Sequence, residues 1–256
     1  MCLILFAHDC HPAYRLVLAA NRDEFYDRPT APAAFWEDVP HLLAGRDLKV
    51  GGTWCGITTT GRVAAVTNYR DPAAHRPHAP SRGLLVSDFL RGSMTAENYL
   101  SELAENSPDY NGFNIICGTP ERLWYYSNRG GAPAPVPAGV HGLSNRLLDT
   151  PWPKVVNGRE ALTDLLRHSN EIDADALFAL LADRTTAPDH LLPDTGVGLE
   201  RERLLSSLHI SGTDYGTRSA IVLLVGRDGQ VEFAEQTFNG GVEPTGTTVQ
   251  RFRLAG

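Results

Sequence analysis

Apolar residues in this chain gather into runs whose period changes along the sequence. CLILFAH (2–8) and YRLVLAAN (14–21) are continuously apolar and short, and the turn DCHPA between them predicts a pair of strands. GTWCGITTT and RVAAVTNYR predict a second hairpin about Thr60-Gly61, so the chain is expected to open with four strands. The period then shifts. In SRGLLVSDFLRG, behind Ser81 as N-cap, Leu85 and Phe89 recur at i, i+4, as do Tyr99 and Leu103 in TAENYLSELAEN behind Thr95, and both segments read as helices. Strands return in GFNIICGT, RLWYYSN and GVHGLSN, followed by helical patterns in PKVVNGREALTDLLRHS and DADALFALLAD. TRSAIVLLV, a turn at Asp228-Gly229, VEFAEQTFN and TTVQRFRLA close the chain as strands. Elements that come in blocks rather than alternating predict an α+β fold of mainly antiparallel sheets covered by helices.

One stretch interrupts the apolar pattern abruptly. ANRDEFYDRP sets Asn21, Arg22, Asp23 and Glu24 directly after LVLAA, as though a buried strand ended in four polar groups. If the strand continues, Asn21 and Asp23 share one face while Arg22 and Glu24 share the other, and all four enter one pocket only through a bulge or turn. GGAPAPVPAG reads as a surface loop between strands, and APDHLLPDTGVGLERER as the best candidate for a mobile segment.

The 256 residues, 42% of them apolar, suffice for one domain with a substantial core, expected to span 1–256. A net charge of −7 leaves no basic stripe for phosphates, which disfavours nucleic acid and anionic membranes as partners. No apolar run reaches the roughly 18 residues of a membrane span, and MCLILFAHDC lacks the basic flank of a signal peptide, so a cytoplasmic location is expected. Gly51 to Gly56 has the outer spacing of a phosphate loop but continues with Ile57-Thr58, and Ser144 lacks the second glycine of a nucleophile elbow. His75 and His78 have no obvious third ligand, so no metal site is expected.

Cys2, Cys10, Cys55 and Cys117 have neither metal-site spacing nor the density of a disulfide scaffold, which fits a reducing compartment. Cys2 differs from the others. Removal of Met1 would leave a residue bearing both a thiol and a free α-amine, whose pKa of about 7.7–8.0 suits a general base.

Eight separated signatures, MCLILF, ANRDEFYDRP, GGTWCGI, TNYRDP, YNGFN, YSNRG, GLSN followed by TPW, and YGTRS, resemble in order those of the NRDE family, also called the Transport and Golgi Organization protein 2 family. The resemblance covers nearly the whole chain. It implies the N-terminal-nucleophile hydrolase fold, a four-layer αββα sandwich with two antiparallel sheets between helical layers. Among the cysteine hydrolases of that fold, which include penicillin V acylases and bile-salt hydrolases, Cys2 resembles the nucleophile, and Asn68 at the end of AAVTN resembles the oxyanion donor. Asn145 in GLSN resembles a later site asparagine, and Arg218 in TRSA the arginine that stabilises the thiolate. Those hydrolases carry Arg-Asn-x-Asp where this chain has Asn-Arg-Asp-Glu; Asp23 is taken as the carboxylate near the Cys2 amine, with Arg22 near the substrate or structural.

The resemblance therefore implies a cysteine amidohydrolase or thioesterase acting on a small or lipid-like substrate, with Cys2, Asp23, Asn68, Asn145 and Arg218 around one pocket. Asn21, Arg22, Glu24, Trp54 and Tyr69 are expected beside the substrate, and Trp36 and Trp152 could add to an aromatic lining. No cofactor is required for that chemistry. The family's association with haem trafficking and lipid metabolism implies the alternative, a non-catalytic carrier of haem or acyl-CoA using the same cleft.

Overall fold

A computed structural model describes residues 2–255; Met1, whose removal the nucleophile reading requires, lies outside them, as does Gly256 at the end of the expected domain. The first two apolar runs form β1 (Cys2–His8) and β2 (Tyr14–Phe25). β2 does not stop at Ala20: it carries the whole NRDE run, because β1 on one side and a later strand on the other take up its backbone groups. Two further strands that the apolar pattern does not announce follow, β3 (Thr30–Trp36) and β4 (Val39–Asp47), before the expected hairpin of β5 (Cys55–Thr58) and β6 (Val63–Asn68). β3 holds Pro32 at a register shift between Ala31 and Ala34 and lies at a sheet edge, where proline is tolerated.

The helices α1 (Arg82–Arg91) and α2 (Ala96–Asn106) begin where the N-cap residues indicate, and the Thr95 hydroxyl accepts the Asn98 N–H at 3.2 Å. β7 (Phe113–Thr119), β8 (Arg122–Ser127), the two-residue β9 (Ala134–Pro135) inside the Pro-rich loop, and β10 (Gly139–Leu143) come next. α3 (Pro153–His168), α4 (Ala174–Leu181) and the short α5 (Leu199–Leu204) precede the closing strands β11 (Tyr215–Gly226), β12 (Gln230–Thr237) and β13 (Gly246–Arg253).

The strands make two antiparallel sheets, ordered β10-β1-β2-β11-β12-β13 and β3-β4-β5-β6-β7-β8-β9. Alternation along β1 and β2 explains the layering. Ile4, Phe6, Leu16 and Leu18 pack between the sheets with Ile57, Ala65 and Phe233, whereas Leu3, Leu5, Val17 and Ala19 pack outward against Val155 and Leu162 of α3 and Leu177 of α4. α1 and α2 cover the outer face of the other sheet, which completes the αββα sandwich. The segment expected to be mobile is instead anchored: it contains α5, whose Glu202 is 3% exposed and forms a 2.6 Å ion pair with Arg70. No helix among the described residues is long and apolar enough to cross a membrane.

Candidate active site

Register places Cys2 opposite Arg22 across β1 and β2, so both side chains project on the inter-sheet face. Asp23, one residue on, stands level with the amino side of Cys2 but turns to the opposite face, where its Oδ1 accepts the Thr217 hydroxyl at 2.8 Å. The ends of these strands open into a cleft of about 350 Å³, bordered by Cys2, Arg22, Asp23, Glu24, Trp54 and Asn68. The first turn of α1, with Arg82 and Gly83, closes its far wall. That close approach depends on glycine, since a Cβ on Gly52 would lie 2.6 Å from the Gly83 carbonyl carbon. His75, from the loop read as a failed metal site, also borders the cleft.

Charge in the cleft is balanced locally. The Arg22 guanidinium lies 4.3 Å above the Trp54 ring, donates to Thr30 Oγ1 at 3.3 Å and faces Glu24 at 3.9 Å. Arg28 takes up Asp47 at 2.6 Å and Glu24 at 3.8 Å. Burial pushes the Cys2 thiol above its ordinary value and the Asp23 carboxylate adds to this, while Arg22 and a hydrogen bond from the Asp23 backbone oppose it. Burial also pushes the Asp23 carboxyl upward, against Lys154, the Thr217 hydroxyl and Arg70. At the end of β6, no side-chain partner among the described residues takes up the Asn68 amide, and it borders the cleft beside Cys2.

The remaining site residues sit elsewhere. Asn145 is fully buried behind Asn68: its Nδ2 donates to the Asn68 carbonyl at 2.9 Å, and its Oδ1 accepts Arg70 Nη2 at 3.3 Å. It shapes the turn that carries Asn68 rather than the cleft surface. Asn21, expected beside the substrate, is a structural clamp whose Nδ2 donates to the carbonyls of Leu181 and Leu208, both at 2.9 Å. Tyr69, just past the end of β6, does not border the cleft, and its ring lies under Arg146 at 5.0 Å. Trp36 and Trp152 are likewise outside, stacked on Arg46 and Arg70 respectively.

Arg218 differs most from expectation. It is the extra residue of a β-bulge, because Thr217 pairs with Asp23 and Ser219 with Arg22, and its side chain leaves the Cys2 side to donate to the Tyr26 carbonyl. There it lines a second cavity of about 400 Å³ with Tyr26, Ser219 and Glu235. Arg22 separates the two spaces and lines both.

Sequence reasoning passed over Lys154. It occupies the first turn of α3, is 2% exposed, and has no hydrogen-bond partner for its Nζ among the described residues. Burial lowers its ammonium to about 8, with Asp23 opposing. The signal available was a lysine inside an apolar helix start, TPWPKVV, which also fits a surface position.

Two antiparallel sheets between helical layers, with a cysteine at the first position of a central strand and a cleft at that strand's end, define the N-terminal-nucleophile hydrolase fold. The chain is similar to a mutant conjugated bile acid hydrolase from Clostridium perfringens, with a TM-score of 0.55 and 8% identity over 99% of this chain and 92% of that one. It is also similar to penicillin V acylase from Agrobacterium tumefaciens, with a TM-score of 0.52 and 12% identity over 99% and 86% of the two chains. At such identities the likeness is one of fold alone. The chain belongs to the Transport and Golgi organisation 2 family: that family's model matches residues 1–240, and the Transport and Golgi organization protein 2 homolog of Bos taurus is 41% identical over 99% of each chain.

Proposed function

We propose that the protein is a cysteine amidohydrolase or thioesterase whose nucleophile is Cys2 once Met1 has been removed. The observation that carries this reading is the meeting of Cys2, Asp23 and Asn68 at one cleft from three separate strand positions. The Cys2 sulfur attacks an amide or thioester carbonyl, and the thiol proton passes to the residue's own α-amine. The Asn68 side-chain amide donates to the oxygen that becomes negative, and the amine returns its proton to the departing amine or thiolate. Water then attacks the acyl-cysteine, restoring the thiol and releasing a carboxylic acid. Asp23 holds the amine in place, while Arg22 on the inter-sheet face offers a cation to the substrate beside Trp54.

The test is a panel of amides and thioesters assayed beside haem and acyl-CoA titrations, using protein whose mass shows Cys2 as its first residue. Turnover should vanish in Cys2→Ala and be severely impaired in Cys2→Ser, whose hydroxyl ionises far less readily. Turnover that survives in Cys2→Ala refutes the nucleophile. Absence of turnover with haem or acyl-CoA binding retained in both variants makes the protein a carrier using the same cleft.

A further inference from the structure

Arg82 is the first residue of α1 and borders the same cleft as Cys2, Asn68 and Trp54. Backbone groups fix its place there. The Gly83 carbonyl accepts the Thr53 N–H at 3.1 Å, which ties the start of α1 to the residue before Trp54, and Arg82 Nη1 donates to the Gly112 carbonyl at 3.1 Å. The residue is half-buried, and its guanidinium forms no ion pair among the described residues.

Every other arginine that borders the cleft is engaged with a carboxylate. Arg22, in direct register with Cys2, faces Glu24 at 3.9 Å and stacks on Trp54, while Arg28 takes up Asp47 at 2.6 Å and Glu24 at 3.8 Å. The remaining acid, Asp23, turns to the opposite face, where it accepts the Thr217 hydroxyl. On the open side, therefore, the guanidiniums of Arg22, Arg28 and Arg82 meet only the carboxylates of Glu24 and Asp47, and Arg82 is the cation left over. Its position is costly in two further ways. A cation in the first turn works against the partial positive charge of a helix start, and burial and Arg28 both work against its charge, with the Cys2 thiol and Glu24 opposing them. A neutral donor at residue 82 would serve the Gly112 carbonyl without either cost.

We propose that Arg82 is a specificity-determining residue whose guanidinium binds an oxyanion, a carboxylate or a phosphate, on the molecule that enters the cleft. Gly112 holds Nη1, which leaves Nε and Nη2 as a side-on pair of donors of the kind that takes two oxygens of one such group. The substrates of the proposed hydrolase are thereby narrowed to amides and thioesters that carry an anionic group. This rests on the proposed reaction only in naming the substrate, because the anion site itself is read at the Cys2 thiol without turnover.

The experiment compares two alkylating reagents of similar size, anionic iodoacetate and neutral iodoacetamide, on the whole protein, with labelling of Cys2 followed by peptide mass mapping. Each reagent loses iodide as the thiolate sulfur bonds its methylene carbon, so the ratio of the two rates cancels the thiolate fraction and leaves the charge of the surroundings. Relative to the same ratio on N-acetylcysteine amide, the ratio at Cys2 should favour iodoacetate by roughly fivefold or more in wild type and in Arg82→Lys at low salt. It should fall by that factor in Arg82→Gln and, for wild type, in about 1 M sodium chloride. No excess in wild type overturns the inference, as does an excess unchanged in folded Arg82→Gln, which belongs to Arg22 or the α-amine, or a loss that Arg82→Lys shares. Acetate and methyl phosphate, at one ionic strength, then compete with iodoacetate: the stronger competitor names the group, and competition by neither overturns the site. A charge preference without turnover on any substrate removes the hydrolase reading and leaves Arg82 as the anion site of a carrier. Turnover that treats anionic and neutral amides alike, with no charge preference at Cys2, does the reverse.

Discussion

Replacing Glu202 by alanine should be among the most damaging single changes outside the apolar core. The carboxylate accepts Arg70 Nη1 at 2.6 Å, the Thr195 N–H at 2.9 Å and the Thr195 hydroxyl at 2.5 Å, and it is almost wholly buried. Removing one partner of a buried ion pair costs about 3–5 kcal/mol, because the remaining charge keeps its desolvation penalty without its counter-ion. At roughly 2–4 °C per kcal/mol for a chain of this size, the melting temperature should fall by roughly 6–20 °C.

The effect should also reach the cleft, since Arg70 holds Asn145 Oδ1 and Asn145 holds the carbonyl of Asn68. Calorimetry measures the stability, and tryptic cleavage at Arg201 and Arg203 reports release of α5. Pairing Glu202→Leu with Arg70→Met should recover most of the loss, as apolar replacement of both partners removes the desolvation penalty. A melting temperature for Glu202→Ala within about 3 °C of wild type would refute the reasoning, since water would then be replacing the carboxylate at little cost.

Two further outcomes follow from burial of ionisable groups. Brief iodoacetamide treatment near pH 7.5 should label Cys10, which is exposed, and Cys2 at the cleft, while Cys55, pushed up to about 12 by burial, and the buried Cys117 stay unlabelled; peptide mapping that finds Cys55 or Cys117 modified as fast as Cys2 contradicts this. Glu235 is raised by burial from 4.5 to about 7, so between those values the folded protein keeps a proton that the unfolded chain has released, and stability declines as pH rises through that window, by about 3 kcal/mol in all. Glu235→Gln lacks this dependence and can keep the acceptor that Glu235 Oε2 offers the Ala33 N–H at 2.6 Å, so its melting temperature should gain on wild type from pH 5 to pH 8; a difference constant with pH refutes the assignment.

How much of this was legible in the sequence depended on whether a residue's role was local. The strands announced from CLILFAH to TTVQRFRLA and the helices behind Ser81 and Thr95 follow from period and capping, which a short window contains, whereas the four-layer order was implied by the family resemblance. β3 escaped because TAPAAFW is small, proline-containing and only partly buried, and β4 because burial in VPHLLAGRD begins near Leu42. Glu202 looks in sequence like any other charge of LERERL. Its partner lies 132 residues away, and nothing local distinguishes a buried carboxylate from its solvated neighbours. The clamp made by Asn21 is hidden for the same reason, its two carbonyls being 160 and 187 residues distant.

The displacement of Arg218 shows how one inserted residue redirects a site. Strict alternation along β11 would carry Thr217, Arg218 and Ser219 past β2 one for one, but the pairing runs from Asp23 opposite Thr217 directly to Arg22 opposite Ser219. Arg218 is left over. Its carbonyl is taken by the Phe238 N–H at 2.8 Å, and its guanidinium turns toward Tyr26 and the second cavity. Burial and Asp23 push the Cys2 thiol upward, and Arg22, on the neighbouring strand in direct register with the cysteine, opposes that push. The four polar residues after LVLAA are therefore divided by the pleat: Asn21 and Asp23 turn to the helical face, one as a clamp and one accepting the Thr217 hydroxyl at the back of the cleft, while Arg22 and Glu24 turn to the inter-sheet side of the cleft. A strand that ended at Ala20 could not have made that division, and its continuation to Phe25 brings both sets of groups to the single strand end where Cys2 begins.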